Sequence, residues 1–467
     1  MLRLIITSEW LKFKRNRTLL LSLILLFMAG LYAIYNGKVF FNHQEKVIEK
    51  LHQLTKAGID SIHVRMQADT LTGNHRERRI NVQNPYMADY TFLTEYAIKK
   101  PAPLAFMALG VSDLQPYYIK IDSRNLGLQL FTTEIRNPGR LLLGNFDLSF
   151  VIIWLFPLYI IALSFDVLSR EKENGTLKIL VAQGMNIRHF IRYQLIFRLL
   201  VISVPLLLLM TAVLAVSKMP VLTLPAVSWL FLVSILYFVF WFSIIYLLCS
   251  FQRNSKENAL LLSLIWVFLL VLLPSLLNLS LNKAVPYPEP GKIQRSARHV
   301  IDDPTPTGLL LKDYIDRHPQ IRDKDTANMH WRNYKRYFLV LEKRNTIEAP
   351  LFQENHERMQ RRLSLEKWLR ILSPASIQSL FDEQAENSIQ TYEQFTRDIK
   401  NYHKRRSAFV AKRLFNDQPM NSADFARFPR FISRKTATDF PLAAVFMLLW
   451  TAGIVLWAEK RSKYTGI

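Results

Sequence analysis

Six long apolar runs, at residues 18–36, 148–168, 199–217, 227–250, 259–281 and 440–458, constrain this 467-residue chain more than any other feature. A helix needs about 20 mostly apolar residues to cross roughly 30 Å of hydrocarbon. Each run meets that length without a charge near its centre. Half of the residues are hydrophobic, yet mean hydropathy is near neutral, so long polar stretches offset the runs. The expected fold class is an all-α membrane protein: six transmembrane helices with two large, mainly helical insertions.

Positive charge close to span ends resists translocation and sets orientation. The leader 1–17 carries Arg3, Lys12, Lys14, Arg15 and Arg17, and the connection 169–198 carries Arg170, Lys172, Lys178, Arg188, Arg192 and Arg198. Arg253 and Lys256 lie between the fourth and fifth runs, and Lys460, Arg461 and Lys463 lie in the tail 459–467. Six crossings put all four groups on one side, the cytoplasm, with both termini. The opposite side receives residues 37–147, the turn 218–226 and residues 282–439. A cleaved signal peptide is the other reading of the N-terminus, but the basic leader and apolar run are both too long for it. The leader places Leu2, Ile5, Ile6, Trp10 and Phe13 near one helical face, a pattern suited to a helix lying in the membrane interface.

The first insertion continues the first span as a helix over 38–57 and then meets a turn-rich region, Thr70 to Asn84. Tyr117 to Ile121 and Leu126 to Phe131 are richer in β-formers and are expected to supply strands. In the second insertion, Pro286, Pro288, Pro290, Pro304 and Pro306 mark an extended lead-in. Apolar residues then recur at three and four residues over Tyr334–Leu341 and Tyr392–Phe409, while Leu363–Leu372 leads into a boundary at Ser373-Pro374. Two or three long amphipathic helices packed as a hairpin or small bundle follow, their aromatic stripe serving as core.

The chain carries no chemistry of its own that its motifs reveal. It has no phosphate-binding G-x-x-x-x-G-K-[ST] loop, no H-E-x-x-H and no cysteine pair, since Cys249 is its single cysteine. Ten histidines are scattered without a ligand group, so no metal site and no catalytic residue is expected. The net charge of +23 suits an anionic lipid surface, whereas chain buried in a bilayer makes nucleic acid a poor partner. Spans without central ionisable groups also lack the usual pathway of an ion-coupled carrier. Energy for any uphill movement has to enter from another polypeptide. Pro157, Pro205 and Pro274 are candidate kink points within spans.

The connection after the second run reads SREKENGTLKILVAQG from Ser169 to Gly184. Glu171 and Glu173 place acid beyond the span end, to dock or merely to pair with Arg170, Lys172 or Lys178. Gly175 permits a turn, Thr176 is placed to cap a short helix from Leu177 to Gln183, Gly184 to terminate it, and Asn186 to cap the next helix. A short rigid helix held between two spans transmits force.

At these residues the chain resembles the permease subunits of type-2 ABC transporters, whose E-x-x-x-G-T-[LI] motif occurs as Glu171, Gly175, Thr176 and Leu177. The stretch 144–184 and the LSPAS segment, Leu372 to Ser376, are similar to the subgroup with large external insertions, often grouped with permeases for multicopper enzyme maturation. The resemblance covers nearly the whole chain. It implies a bacterial inner-membrane exporter subunit in which the helix Leu177 to Gln183 is a coupling helix docked on a separate cytoplasmic ABC ATPase, with Glu171, Glu173, Gly175, Thr176, Leu177, Leu180 and Gly184 as the coupling residues. Glu9, Trp10 and Leu11 would make a supporting contact. ATP and Mg would bind that ATPase and no cofactor this chain, and a second copy or a similar permease would complete the dimer. Two further readings are mechanical work on an extracytoplasmic protein or cofactor-assembly partner without cargo, and a membrane receptor or scaffold without an ATPase. The cargo is not legible.

Overall fold

A computed structural model describes residues 2–72, 82–93, 95–131, 146–287, 292, 304–321, 331–434 and 441–464. Among them, six helices are long and apolar enough to cross a membrane: Arg17–Met66, Leu148–Glu173, Ile187–Val216, Pro220–Cys249, Ser255–Ala284 and Leu442–Ser462. The leader forms α1 (Leu2–Arg15). Asn16 separates it from α2 (Arg17–Thr72), its side-chain oxygen accepting the Leu19 amide at 3.2 Å. The side chains of Leu2, Ile5 and Ile6 lie outside the description. Phe13 is buried while Trp10 is exposed, so the leader's expected apolar face is divided between core and surface.

At 1.5 Å per residue α2 is about 84 Å long, more than twice what a bilayer crossing requires. The helix therefore runs unbroken from the leader into the first insertion. Of the expected turn region, 73–81 lies outside the described residues, as do Pro288 and Pro290 of the lead-in and Gly144 and Asn145.

The remaining spans contain α3 (Phe156–Ser164), α4 (Ser169–Glu173), α5 (Thr176–Ala182), α6 (Ile187–Val216), α7 (Pro220–Cys249), α8 (Ser255–Val267), α9 (Leu273–Ala284) and, after the second insertion, a closing helix Leu442–Tyr464. Tyr237, Phe238 and Trp241 of α7 are fully buried and form the centre of the bundle. The span built from α8 and α9 is the most exposed of the six.

Pro157 and Pro274 each follow a five-residue π-helical stretch, Val151–Leu155 and Phe268–Leu272. Proline has no amide to donate and its ring crowds the preceding turn; widening that turn relieves the crowding. The Tyr237 hydroxyl donates to the Ile153 carbonyl at 2.8 Å, the acceptor four residues before Pro157 that a proline amide cannot serve in an α register. Pro205, by contrast, sits inside a continuous α6.

The two insertions share one core. Tyr86 and Phe92 from the first pack in the same cluster as Phe338 and Phe415 from the second, beside Ile62 of α2. The only sheet among the described residues is a pair, β1 (Glu95–Ile98) antiparallel to β2 (Tyr118–Ile121), with Glu95 opposite Ile121. The first expected strand is thus present. The second is corrected: Leu126–Phe131 is a helical turn. Leu126 and Leu130, four apart, enter one cluster, and the Leu126 amide is held by the Asn345 side chain at 3.3 Å, a partner that local β propensity takes no account of. The second insertion supplies α10 (Thr307–Arg317), α11 (Arg332–Leu369) and α12 (Ile389–Phe415). Two expected runs, 334–341 and 363–369, belong to the single helix α11. Tyr392, Phe395, Ile399 and Tyr402 are core.

A buried ion network joins the insertions. Arg406 of α12 meets Asp89 at 2.6 Å, the Leu93 carbonyl at 2.6 Å and Glu95 at 3.2 Å. Asp89 in turn accepts the Ser123 amide at 2.7 Å and hydroxyl at 2.6 Å.

Gly37 joins span to insertion, because a Cβ there would lie 2.1 Å from the Phe106 carbonyl oxygen. Gly37→Ala is therefore expected to cost about 1–3 kcal/mol through forced separation of α2 from that backbone. The thermal midpoint of the detergent-solubilised chain reads this, with Gly308→Ala, whose Cβ would meet nothing within 4 Å, as the neutral comparison.

Candidate functional site

The connection between the second and third spans is built as two short helices at an angle set by glycine. Gly175 has φ +74°, a left-handed conformation between α4 and α5. Thr176 does not cap α5 as expected: it is the first helical residue, and its hydroxyl donates back to the Glu171 carbonyl at 3.1 Å and to the Glu171 carboxylate. The turn is thereby closed on the α4 side. Gly184, at φ +73°, ends α5 with its amide on the Val181 carbonyl at 2.9 Å and the Met185 amide on the Leu180 carbonyl at 3.1 Å, the paired pattern of a glycine-terminated helix. The Asn186 side chain then accepts the Arg188 amide at 3.0 Å and starts α6.

Both acidic residues anchor α4 rather than standing free. Glu171 pairs with Lys12 of the leader at 2.9 Å. Burial alone would lower the Lys12 ammonium, but the Glu171 and Glu9 carboxylates outweigh it and hold the group above the usual lysine range. Glu173 accepts the Ser255 amide at 2.7 Å and hydroxyl at 2.9 Å, so it caps the start of α8 from another element. The Lys172 ammonium donates to the Gln252 carbonyl at 2.7 Å. One face of the bundle, comprising leader, connection and the turn between the fourth and fifth spans, is therefore tied together through α4.

Glu9 departs from expectation. Only 4% exposed, it accepts from Gln194 at 3.0 Å and Arg198 at 3.2 Å and pairs with Lys12 at 3.2 Å, so it lies in the seam between α1 and α6. A group so placed holds the leader against α6. Trp10 and Leu11, 53% and 49% exposed, remain on the surface next to Lys12.

The short helix α5 has no buried residue. Leu177 and Leu180 are partly buried, with Leu177 against the main core, whereas Ile179 and Val181 are 59% and 51% exposed. Ile179 and Val181 lie inside the expected helix Leu177–Gln183 and are its exposed large apolar side chains, a distinction not drawn in the sequence. Five of the seven residues in TLKILVA are apolar, so periodicity alone does not say which side faces the protein. Among the described residues no group of His, Cys, Asp and Glu has a metal-holding arrangement.

The family model described as ABC-2 family transporter protein matches residues 3–458. The chain belongs to that family. It is a permease component of an ABC transporter and a multi-pass membrane protein. No curated protein and no solved structure matches the permease. The match takes in nearly all of the leader, the connection, both insertions, five apolar helices and the sixth as far as Ala458, so the glycine-hinged connection lies within the matched region.

Proposed function

We propose that this permease couples ATP hydrolysis on a separate cytoplasmic ABC ATPase, which binds ATP and Mg, to outward movement of a substrate across a bacterial inner membrane. The observation that carries the reading is α5: a seven-residue helix with no buried side chain, closed by glycine at both ends and anchored through Glu171 and Glu173. Ile179 and Val181 supply the docking surface, with Trp10 and Leu11 beside it. Glu171, Thr176 and Gly184 act by shaping and holding the connection, and Leu177 and Leu180 seat it. The cytoplasmic placement of this face rests on its excess of Lys and Arg. A second copy or a similar permease completes the dimer, for which the exposed span formed by α8 and α9 is the candidate face.

ATP-dependent uptake into inside-out vesicles holding the permease and its ATPase tests the reading. Uptake that persists after deletion of Thr176–Ala182 would count against it. Gly175 offers a finer test. Proline requires φ near −65° and is incompatible with +74°, so Gly175→Pro is expected to abolish ATPase coupling. Gly175→Ala meets open space and carries only the left-handed penalty of about 1–2 kcal/mol, leaving coupling reduced but present.

One observation favours mechanical output to an external partner. The unbroken α2 joins the ATPase-proximal leader to a core shared by both insertions, so movement at one end displaces the other. Intact ATP turnover with no vesicle uptake, together with nucleotide-dependent cross-linking of the insertions to a partner, would select this output.

A further inference from the structure

The insertions enclose a cavity of 730 Å³ that neither the coupling surface nor the family assignment uses. One wall is a single face of α2, where His52, Thr55, Lys56 and Ile59 recur at three and four residues. The segment from Phe425 to Arg434, β1 and Lys100 supply further lining of the cavity. Its floor is apolar, formed by the buried Leu93, Ile98, Phe425 and Phe428. Tyr96 and Phe431, both partly buried, add ring surface at the wall.

The rim is cationic. Lys56, Lys100, Arg430 and Arg434 all line the cavity and are exposed, and among the described residues none of these side chains has a carboxylate partner. Two acids, Glu95 and Glu386, also line it, and each has a cation nearby. The Glu95 carboxylate meets Arg406 at 3.2 Å, Tyr402, and the Phe431 amide at 3.3 Å. Glu386 lies beside Lys99, whose ammonium donates to the Glu386 carbonyl at 2.7 Å. The field inside is therefore positive, and concave low-dielectric walls concentrate it.

We propose that this cleft binds a small anionic ligand with an aromatic or otherwise apolar body. The volume falls within the roughly 300–1,000 Å³ of small-molecule sites, and an apolar floor with a few charged groups at the mouth is their usual composition. Rings of Tyr96 and Phe431 receive the body by stacking, and the lysines and arginines receive its charge. The α2 wall begins at His52, about 22 Å along the helix axis beyond Gly37 at the end of the apolar run. A lipid still seated in the bilayer does not reach it, so the ligand arrives from water.

The full-length permease in phosphatidylcholine nanodiscs, without ATPase or nucleotide, tests the proposal by fluorescence anisotropy with 8-hydroxypyrene-1,3,6-trisulfonate as probe. Saturable binding is expected. The triple variant Lys56→Gln/Arg430→Gln/Arg434→Gln, confined to exposed side chains, should weaken it at least about tenfold. Lys404→Gln/Arg405→Gln/Lys412→Gln removes the same charge from the exposed face of α12 and should leave binding within about twofold. Inorganic sulfate at matched ionic strength should displace the probe poorly, because it lacks the body. Absence of saturable binding, equal loss in both triples, or displacement by sulfate as effective as by unlabelled aromatic sulfonate would each overturn the assignment. Since no ATPase takes part, failure here leaves the coupling reading untouched, and failure of coupling leaves this one untouched.

Discussion

Replacing both Ile179 and Val181 by aspartate is expected to weaken association with the partner ATPase by at least about 100-fold while leaving the permease folded. Burial of an aliphatic side chain contributes about 1.5–3 kcal/mol, and a carboxylate in its place adds a desolvation cost, so two substitutions exceed the roughly 2.7 kcal/mol that 100-fold represents. The fold is spared because both side chains are more than half exposed and α5 contributes nothing buried to the bundle. Copurification of the ATPase, with thermal unfolding of the permease alone as the control, measures the two effects separately. Leu177→Asp should behave differently: its side chain packs against the main core, so stability falls along with association. ATPase binding unchanged in Ile179→Asp/Val181→Asp would remove α5 as the docking element.

Arg406→Met is expected to destabilise the core shared by the two insertions by about 3–5 kcal/mol, the usual cost of stranding a buried charge. Arg406 and Asp89 are both fully buried, and the substitution leaves the Asp89 carboxylate with only the Ser123 amide and hydroxyl. The Leu93 carbonyl and the Tyr402 hydroxyl lose a partner as well. Removing the second charge, in Asp89→Asn/Arg406→Met, should recover part of the loss, because an unpaired carboxylate costs more to bury than an amide. Thermal unfolding of the full chain and protease accessibility of the insertions report the change. Equal destabilisation in the single and double variants would show that packing, rather than charge, dominates at this position. The network draws Asp89 and Glu95 from one insertion and Tyr402 and Arg406 from the other, so its failure is expected to separate them.

Much of the connection between the second and third spans was legible because its signals are local. Gly184 and Asn186 act within one helical turn, and both perform the capping their identities suggest. Gly175 adopts the positive φ that only glycine takes without strain. What escaped depends on partners distant in the chain. Glu9 read as a surface residue because nothing near it says otherwise; its partners Gln194 and Arg198 are more than 180 residues away. Thr176 had two acceptable uses for its hydroxyl, and the position of Glu171 selected the backward one. β1 is four residues long, too short for a two-residue period to stand out. Leu126–Phe131 shows the converse, a β-rich composition overruled by contacts from α11.

The amino-acid order by itself determined the six apolar helices, the helical character of the insertions and the hinge at Gly175, since each follows from hydrophobic length, helical periodicity or a backbone conformation restricted to glycine. Only the tertiary structure decided that the insertions share one core, that Glu9 faces inward, and that Ile179 and Val181 rather than Leu177 look outward. The reason is physical: an apolar or charged side chain carries its preference for burial or pairing in its chemistry, but the surface that satisfies it comes from chain hundreds of residues away.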